Sequence, residues 1–96
     1  MITELALLKI QDHDGLAFEE AFAEAQLIIA KMQGYIYHEL QKCIEEQGKY
    51  LLLVQWQTLE HHTEGFRKSK EYEEWKKLLH HFYSPFPKVE HYKKVF

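Results

Sequence analysis

Seven histidines, two tryptophans and one cysteine carry most of the chemistry available to this chain. His38 sits in Tyr35-Ile36-Tyr37-His38-Glu39-Leu40, where the alternation of a strand puts it on one face with Ile36 and Leu40. A polar ring among apolar side chains is a candidate general acid or base, because imidazole titrates near neutral pH. The plainer alternative is a core histidine whose nitrogens are satisfied by backbone or by a neighbouring hydroxyl. Trp56 ends an apolar run and carries an indole N–H that could donate to a substrate oxygen; the plainer reading, a packed core ring, weighs more. Tyr72 and Trp75 carry the same ambiguity, since helical spacing alone explains them. The pairs His61-His62 and His80-His81 invite a metal reading. Adjacent helical residues point about 100 degrees apart, so at most one of each pair faces inward. His62, four before Phe66, and His81, two after Leu79, are the inward choices. With Glu39 or Glu64 they could hold iron or zinc. No spacing fixes such a site, and histidines near helix ends are also explained as solvated or capping groups; no metal is assigned. Cys43, alone, excludes an intramolecular disulfide framework and a thiolate-rich zinc site. No glycine-rich phosphate loop, nucleophile motif or dinucleotide fingerprint is present.

The elements that must position these groups centre on residues 50–57, Tyr-Leu-Leu-Leu-Val-Gln-Trp-Gln, read as the central strand. Tyr50, Leu52, Val54 and Trp56 point one way; Leu51, Leu53, Gln55 and Gln57 point the other. Residues 2–10 form a first strand, also apolar on both sides, with Ile2, Ala6, Leu8 and Ile10 opposite Leu5 and Leu7. Asp12 or Asp14 is placed to cap a helix over residues 16–32, whose stripe Phe18, Phe22, Ala25, Ile29, Met32 recurs at steps of four, three, four and three. Gly34 stops it. Residues 35–45 make a second strand, joined by a turn at 46–49 to the central one as a hairpin. Thr58 caps a short helix through Phe66. Ser69 caps another with the stripe Tyr72, Trp75, Leu79, Phe82, ended by Ser84-Pro85-Phe86-Pro87. Residues 89–96 form a last strand. The order β-α-β-β-α-β predicts an α+β, ferredoxin-like sheet with both helical units on one side. The uncovered face, greasy with leucines, is then expected to pack against a second copy.

The 96 residues, with a net charge of −3 and basic residues interspersed with acidic ones, read as one domain that does not attract nucleic acid. No run is apolar enough to span a membrane and no signal-peptide pattern opens the chain, so a cytoplasmic protein is expected.

Three stretches, Gly34-Tyr35-Ile36-Tyr37-His38-Glu39-Leu40, Tyr50 through His62, and Phe66-Arg67-Lys68-Ser69, resemble the antibiotic biosynthesis monooxygenase domain family. The tail from His80 to Tyr92 resembles that of a bacterial branch of it. The resemblance spans nearly the whole chain and implies a homodimeric α+β barrel with a pocket between sheet and helices in each subunit. It also implies a cofactor-independent monooxygenase that binds a small aromatic phenol or quinol and dioxygen. His38 is then the candidate base; Trp56, Phe66 and Tyr83 are the candidate walls, with His62 and His81 as further substrate-binding candidates. The rival is a non-catalytic module for an aromatic metabolite or haem. The family's haem degraders place a histidine ligand about a dozen residues beyond an aromatic one; eight to eleven residues beyond Phe66 stand Glu74, Trp75, Lys76 and Lys77, and the first histidine, His80, is fourteen beyond it. That departure disfavours haem degradation, with His80 or His81 left as the alternative ligand.

Overall fold

A computed structural model describes all 96 residues. Strands β1 (Ile2–Lys9), β2 (Tyr35–Lys42), β3 (Lys49–Trp56) and β4 (Val89–Tyr92) form one antiparallel sheet in the order β2-β3-β1-β4. Helices α1 (Gly15–Ile29) and α2 (Lys70–Leu79) pack on one side of it. This is the ferredoxin-like arrangement that the element order implies. Alternation decides what is covered: Tyr50, Leu52, Val54 and Trp56 of β3 and Glu4, Ala6 and Leu8 of β1 are buried under the helices. Leu5, Leu51 and Leu53 are half-buried on the open side, and Leu7 is 52% exposed there. From α1, Phe18, Phe22, Ala25 and Ile29 complete the core; from α2, Trp75 and Leu79 do so.

Local chemistry sets the ends of these elements. Ser69 Oγ accepts the Tyr72 N–H at 3.0 Å, as a helix cap should, and Thr58 Oγ1 accepts the His61 N–H at 3.3 Å. Neither Asp12 nor Asp14 caps α1; a 3-10 turn at Asp12–Asp14 leads straight into the helix. The helix stops at Ile29, short of Met32, and Gly34 then takes φ +85°. The segment His61–Phe66 is a π-helical turn and His80–Phe82 a 3-10 turn. Strands β2 and β4 close at Lys42 and Tyr92, three and four residues earlier than their sequence pattern extends.

One irregularity matters for the site. Tyr35 pairs with Trp56 but Tyr37 with Gln55, so Ile36 is an extra, bulged residue. The expected shared face of Ile36, His38 and Leu40 is therefore broken. Ile36 is exposed, whereas His38, opposite Val54, stays on the helix side with Tyr35.

Candidate active site

A cavity of about 380 Å³ opens between the helix-covered face of the sheet, α2, and the segment that returns from α2 to β4. Its floor is Glu4, Ala6 and Leu8 of β1 with Leu52 of β3. One wall is aromatic: Phe66 meets Trp75 and Tyr72 edge-on, with ring centroids 5.6 and 5.1 Å apart. The opposite rim is His80, Tyr83 and Phe86, where His80 meets the Phe86 ring at 5.0 Å. Tyr83 is held there by its backbone bridge to Ile10 just beyond β1.

The polar centre of the floor is a buried carboxyl. β1 alternation places Glu4 inward, among apolar neighbours, at 6% exposure. Its Oε1 accepts the Trp56 indole N–H at 3.0 Å and lies 3.3 Å from His62 Nε2. His62 stacks on Trp56 at an interplanar angle of 17°, and its Nδ1 is 2.8 Å from His91 Nε2. Burial raises the Glu4 carboxyl from 4.5 to about 7, against the opposing pull of the Trp56 hydrogen bond and the Arg67 charge. Burial pushes the His62 imidazole down to about 3, helped by Arg67 and His91. The pair is therefore set as a carboxyl near half-protonation at neutral pH beside a neutral ring. A base poised near ambient pH is what proton abstraction needs.

The geometry permits the proton to move further. With Glu4 ionised, His62 donates through Nε2 and accepts from His91 through Nδ1. With Glu4 protonated, the carboxyl donates to Nε2 and Nδ1–H donates to His91. A proton taken at the floor can thus be passed along two rings toward β4, whose register sets His91 opposite Glu4.

Among the residues singled out in the sequence, His62, Phe66 and Tyr83 line this cavity together. Trp56 is fully buried beneath it and acts on it through Glu4 and His62. His38 is not part of the lining; it is held between the Tyr35 hydroxyl at Nδ1 and Gln26 Oε1 at Nε2, 2.9 Å away, with Phe22 edge-on. Its two nitrogens are engaged as in a satisfied core histidine, and burial lowers its pKa. His81 is exposed and lies against Phe82, while His80 faces the cavity. At about 100 degrees per residue, His80 stands about 100 degrees round the helix from buried Leu79 and His81 about 200 degrees, so helical phase already turns His81 away from the inward face. No three His, Cys, Asp or Glu side chains gather in metal-binding geometry, so Glu39 and Glu64 do not join the histidines. Glu4, Arg67 and His91 were not singled out in the sequence. For Glu4 the signal was present, a carboxylate in phase with Ile2, Ala6 and Leu8; for the other two no local pattern marks them.

The sequence model of the antibiotic biosynthesis monooxygenases (ABM) matches residues 1–78. The chain belongs to the ABM family. Tyr83, Phe86 and His91 thus lie beyond the matched segment, although Tyr83 and Phe86 line the cavity and His91 hydrogen-bonds His62. The uncharacterized protein YczJ of Bacillus subtilis (strain 168) is 59% identical over 95 residues, covering 99% of this chain and all of YczJ. Among solved structures, a candidate ABM protein from Bordetella bronchiseptica is 32% identical with a TM-score of 0.94, covering 99% of this chain and 97% of its own. SnoaB of Streptomyces nogalater, a cofactor-independent oxygenase, has a TM-score of 0.83 at 12% identity, covering 99% and 93% of the two chains, and so shares the fold. No helix is long and apolar enough to cross a membrane.

Proposed function

We propose that this ABM protein is a cofactor-independent monooxygenase acting on a small phenol or quinol. The observation that carries the reading is the buried Glu4–His62 pair at the floor of an aromatic-walled cavity. A flat ring fits between Phe66, Trp75 and Tyr83, with a ring hydroxyl directed to the floor. Glu4, relayed by His62, takes the phenolic proton. The resulting anion passes an electron to dioxygen; the two radicals join at a ring carbon, and the peroxide formed there takes up a proton. Loss of water leaves a carbonyl on that carbon. One oxygen atom stays on the product, the other leaves in water with the two hydrogens lost from the substrate, and the substrate supplies every electron. The protein contributes orientation, exclusion of water and a base matched to neutral pH. Tyr83, whose hydroxyl burial keeps protonated, supplies a donor to a developing oxyanion.

The same proposal includes a homodimer. Leu5, Leu7, Leu51 and Leu53 leave the open sheet face apolar, and covering such side chains is worth about 1.5–3 kcal/mol each when complete.

The test is oxygen uptake by the purified protein, without added metal, over a panel of hydroquinones. Uptake is expected with at least one, and His62→Ala is expected to reduce it by about 10²–10⁴-fold. His38→Ala, which leaves the cavity lining in place, is expected to cost less than about tenfold, the scale of one lost hydrogen bond. The reverse ranking would return the base to His38. Saturable binding of the quinols with no uptake would make the protein a binding module instead.

A further inference from the structure

The cavity wall carries a charge that the reaction outlined above does not use. Of the twelve Lys and Arg residues only one is an arginine, and that one, Arg67, lines the cavity. It is also the only Lys or Arg there. Two lysines nearby in sequence are paired, Lys68 with Glu64 at 2.7 Å and Lys76 with Glu73 at 3.5 Å. Arg67 has no carboxylate within ion-pair distance, although its charge is felt at Glu4, His62, His91 and Tyr72. It is exposed where Glu4 is buried, so the guanidinium stands at the mouth and the carboxyl at the floor. The hydroxyls of Tyr72 and Tyr83 have no partner within the protein, and no buried side-chain polar atom is left unsatisfied, so both face the open cavity. The lining therefore offers one free planar cation and two neutral donors. Its one acid engages His62 and Trp56 through Oε1 alone, which leaves Oε2 for a ligand hydroxyl. A guanidinium binds a carboxylate through two parallel N–H···O bonds, a geometry lysine does not reproduce.

We infer that the cavity takes an aromatic acid, a hydroxylated ring system whose carboxylate Arg67 pairs at the mouth while the hydroxyl reaches Glu4 and His62. This rests on the cavity being the ligand site, as in the proposed function, and names the class of ligand it selects. A neutral quinol leaves Arg67 without a counter-charge; an aromatic acid satisfies both ends of the cavity at once.

The experiment is calorimetric titration of the full chain with 3-hydroxy-2-naphthoate and with its amide, 3-hydroxy-2-naphthamide, which has the same rings and hydroxyl but no charge. The acid is expected to bind at least about tenfold more tightly, and its affinity to fall with added salt. Arg67→Gln is expected to abolish the difference by weakening the acid alone, and Arg67→Lys to restore part of it. Since Arg67 is exposed and unpaired, both variants should melt with the wild type. Equal affinity for acid and amide, a preference that survives Arg67→Gln, or no saturable binding of the acid at millimolar concentration would each overturn the inference. Oxygen uptake is read separately. Acid preference with no uptake from any quinol sustains the ligand class and defeats the monooxygenase. Uptake from quinols, with no acid preference in binding, does the reverse.

Discussion

Replacing Glu4 by glutamine should rewrite the pH dependence of stability in a direction the structure dictates. The unfolded carboxyl loses its proton near 4.5, whereas the folded one holds it to about 7. Between those values the folded chain binds more protons, so stability falls as pH rises. The favourable contribution is complete below 4.5 and gone above 7, a swing of about 3 kcal/mol. His62 works the other way: unfolded it takes a proton below 6.5, folded it stays neutral down to about 3, and stability falls as pH drops through that window. In the wild type the two slopes oppose each other between pH 4.5 and 6.5. The substituted amide keeps an oxygen for the Trp56 N–H and a similar volume but cannot titrate. The charged and titratable neighbours that face it, His62, Arg67 and His91, are otherwise retained. Glu4→Gln should therefore gain about 2 to 3 kcal/mol on the wild type between pH 5 and pH 8 and lose stability steadily on acidification below 6.5. Urea unfolding followed by far-ultraviolet circular dichroism, at one fixed protein concentration because association adds to apparent stability, measures this directly. A free-energy difference between variant and wild type that stays constant from pH 5 to pH 8 would refute the claim that Glu4 is held protonated by burial.

Further outcomes follow from other parts of the molecule. Gly48 has φ +82°, and a Cβ there would lie 2.3 Å from the Ile10 carbonyl oxygen. Since left-handed backbone alone costs about 1–2 kcal/mol and the obstacle is main chain, Gly48→Ala should lower the melting temperature by about 8 °C or more. Tyr83→Phe, which removes a hydroxyl while keeping the ring against His80, should leave stability nearly unchanged; it should reduce kcat/KM for a hydroquinone by about tenfold, the scale of one hydrogen bond. Sedimentation should find the wild type dimeric at micromolar concentration and the double variant Leu7→Lys, Leu53→Lys monomeric and folded; a wild-type monomer would remove the proposed interface.

The fold was readable because its cues are local and redundant. The period-two burial of β1 and β3, the Phe18-Phe22-Ala25-Ile29 stripe and the Ser69 cap each follow from neighbours a few residues apart. Where reading and structure part, the cause is non-local. Nothing within Tyr35–Leu40 announces that Ile36 will bulge, because the bulge depends on how β2 registers against β3, and that single extra residue undoes the pattern by which His38 was grouped with Ile36. The choice between His80 and His81 is the exception and is local: His81 falls about 200 degrees from buried Leu79 and His80 about 100 degrees, so helical phase alone favours His80.

Glu4 teaches the opposite lesson, for its position was fixed by alternation as firmly as that of Ala6. Two polar groups stood on strand faces otherwise apolar, His38 and Glu4, and physical cost separates them. A neutral imidazole is buried cheaply once its nitrogens find partners, as those of His38 do in Tyr35 and Gln26. A carboxylate is not: in an apolar setting it must take up a proton or attract one from a neighbour. The buried group with the larger desolvation penalty is the one whose proton is easiest to move at neutral pH, and for that reason Glu4, rather than the more familiar histidine, stands at the floor of the cavity as the group to test first.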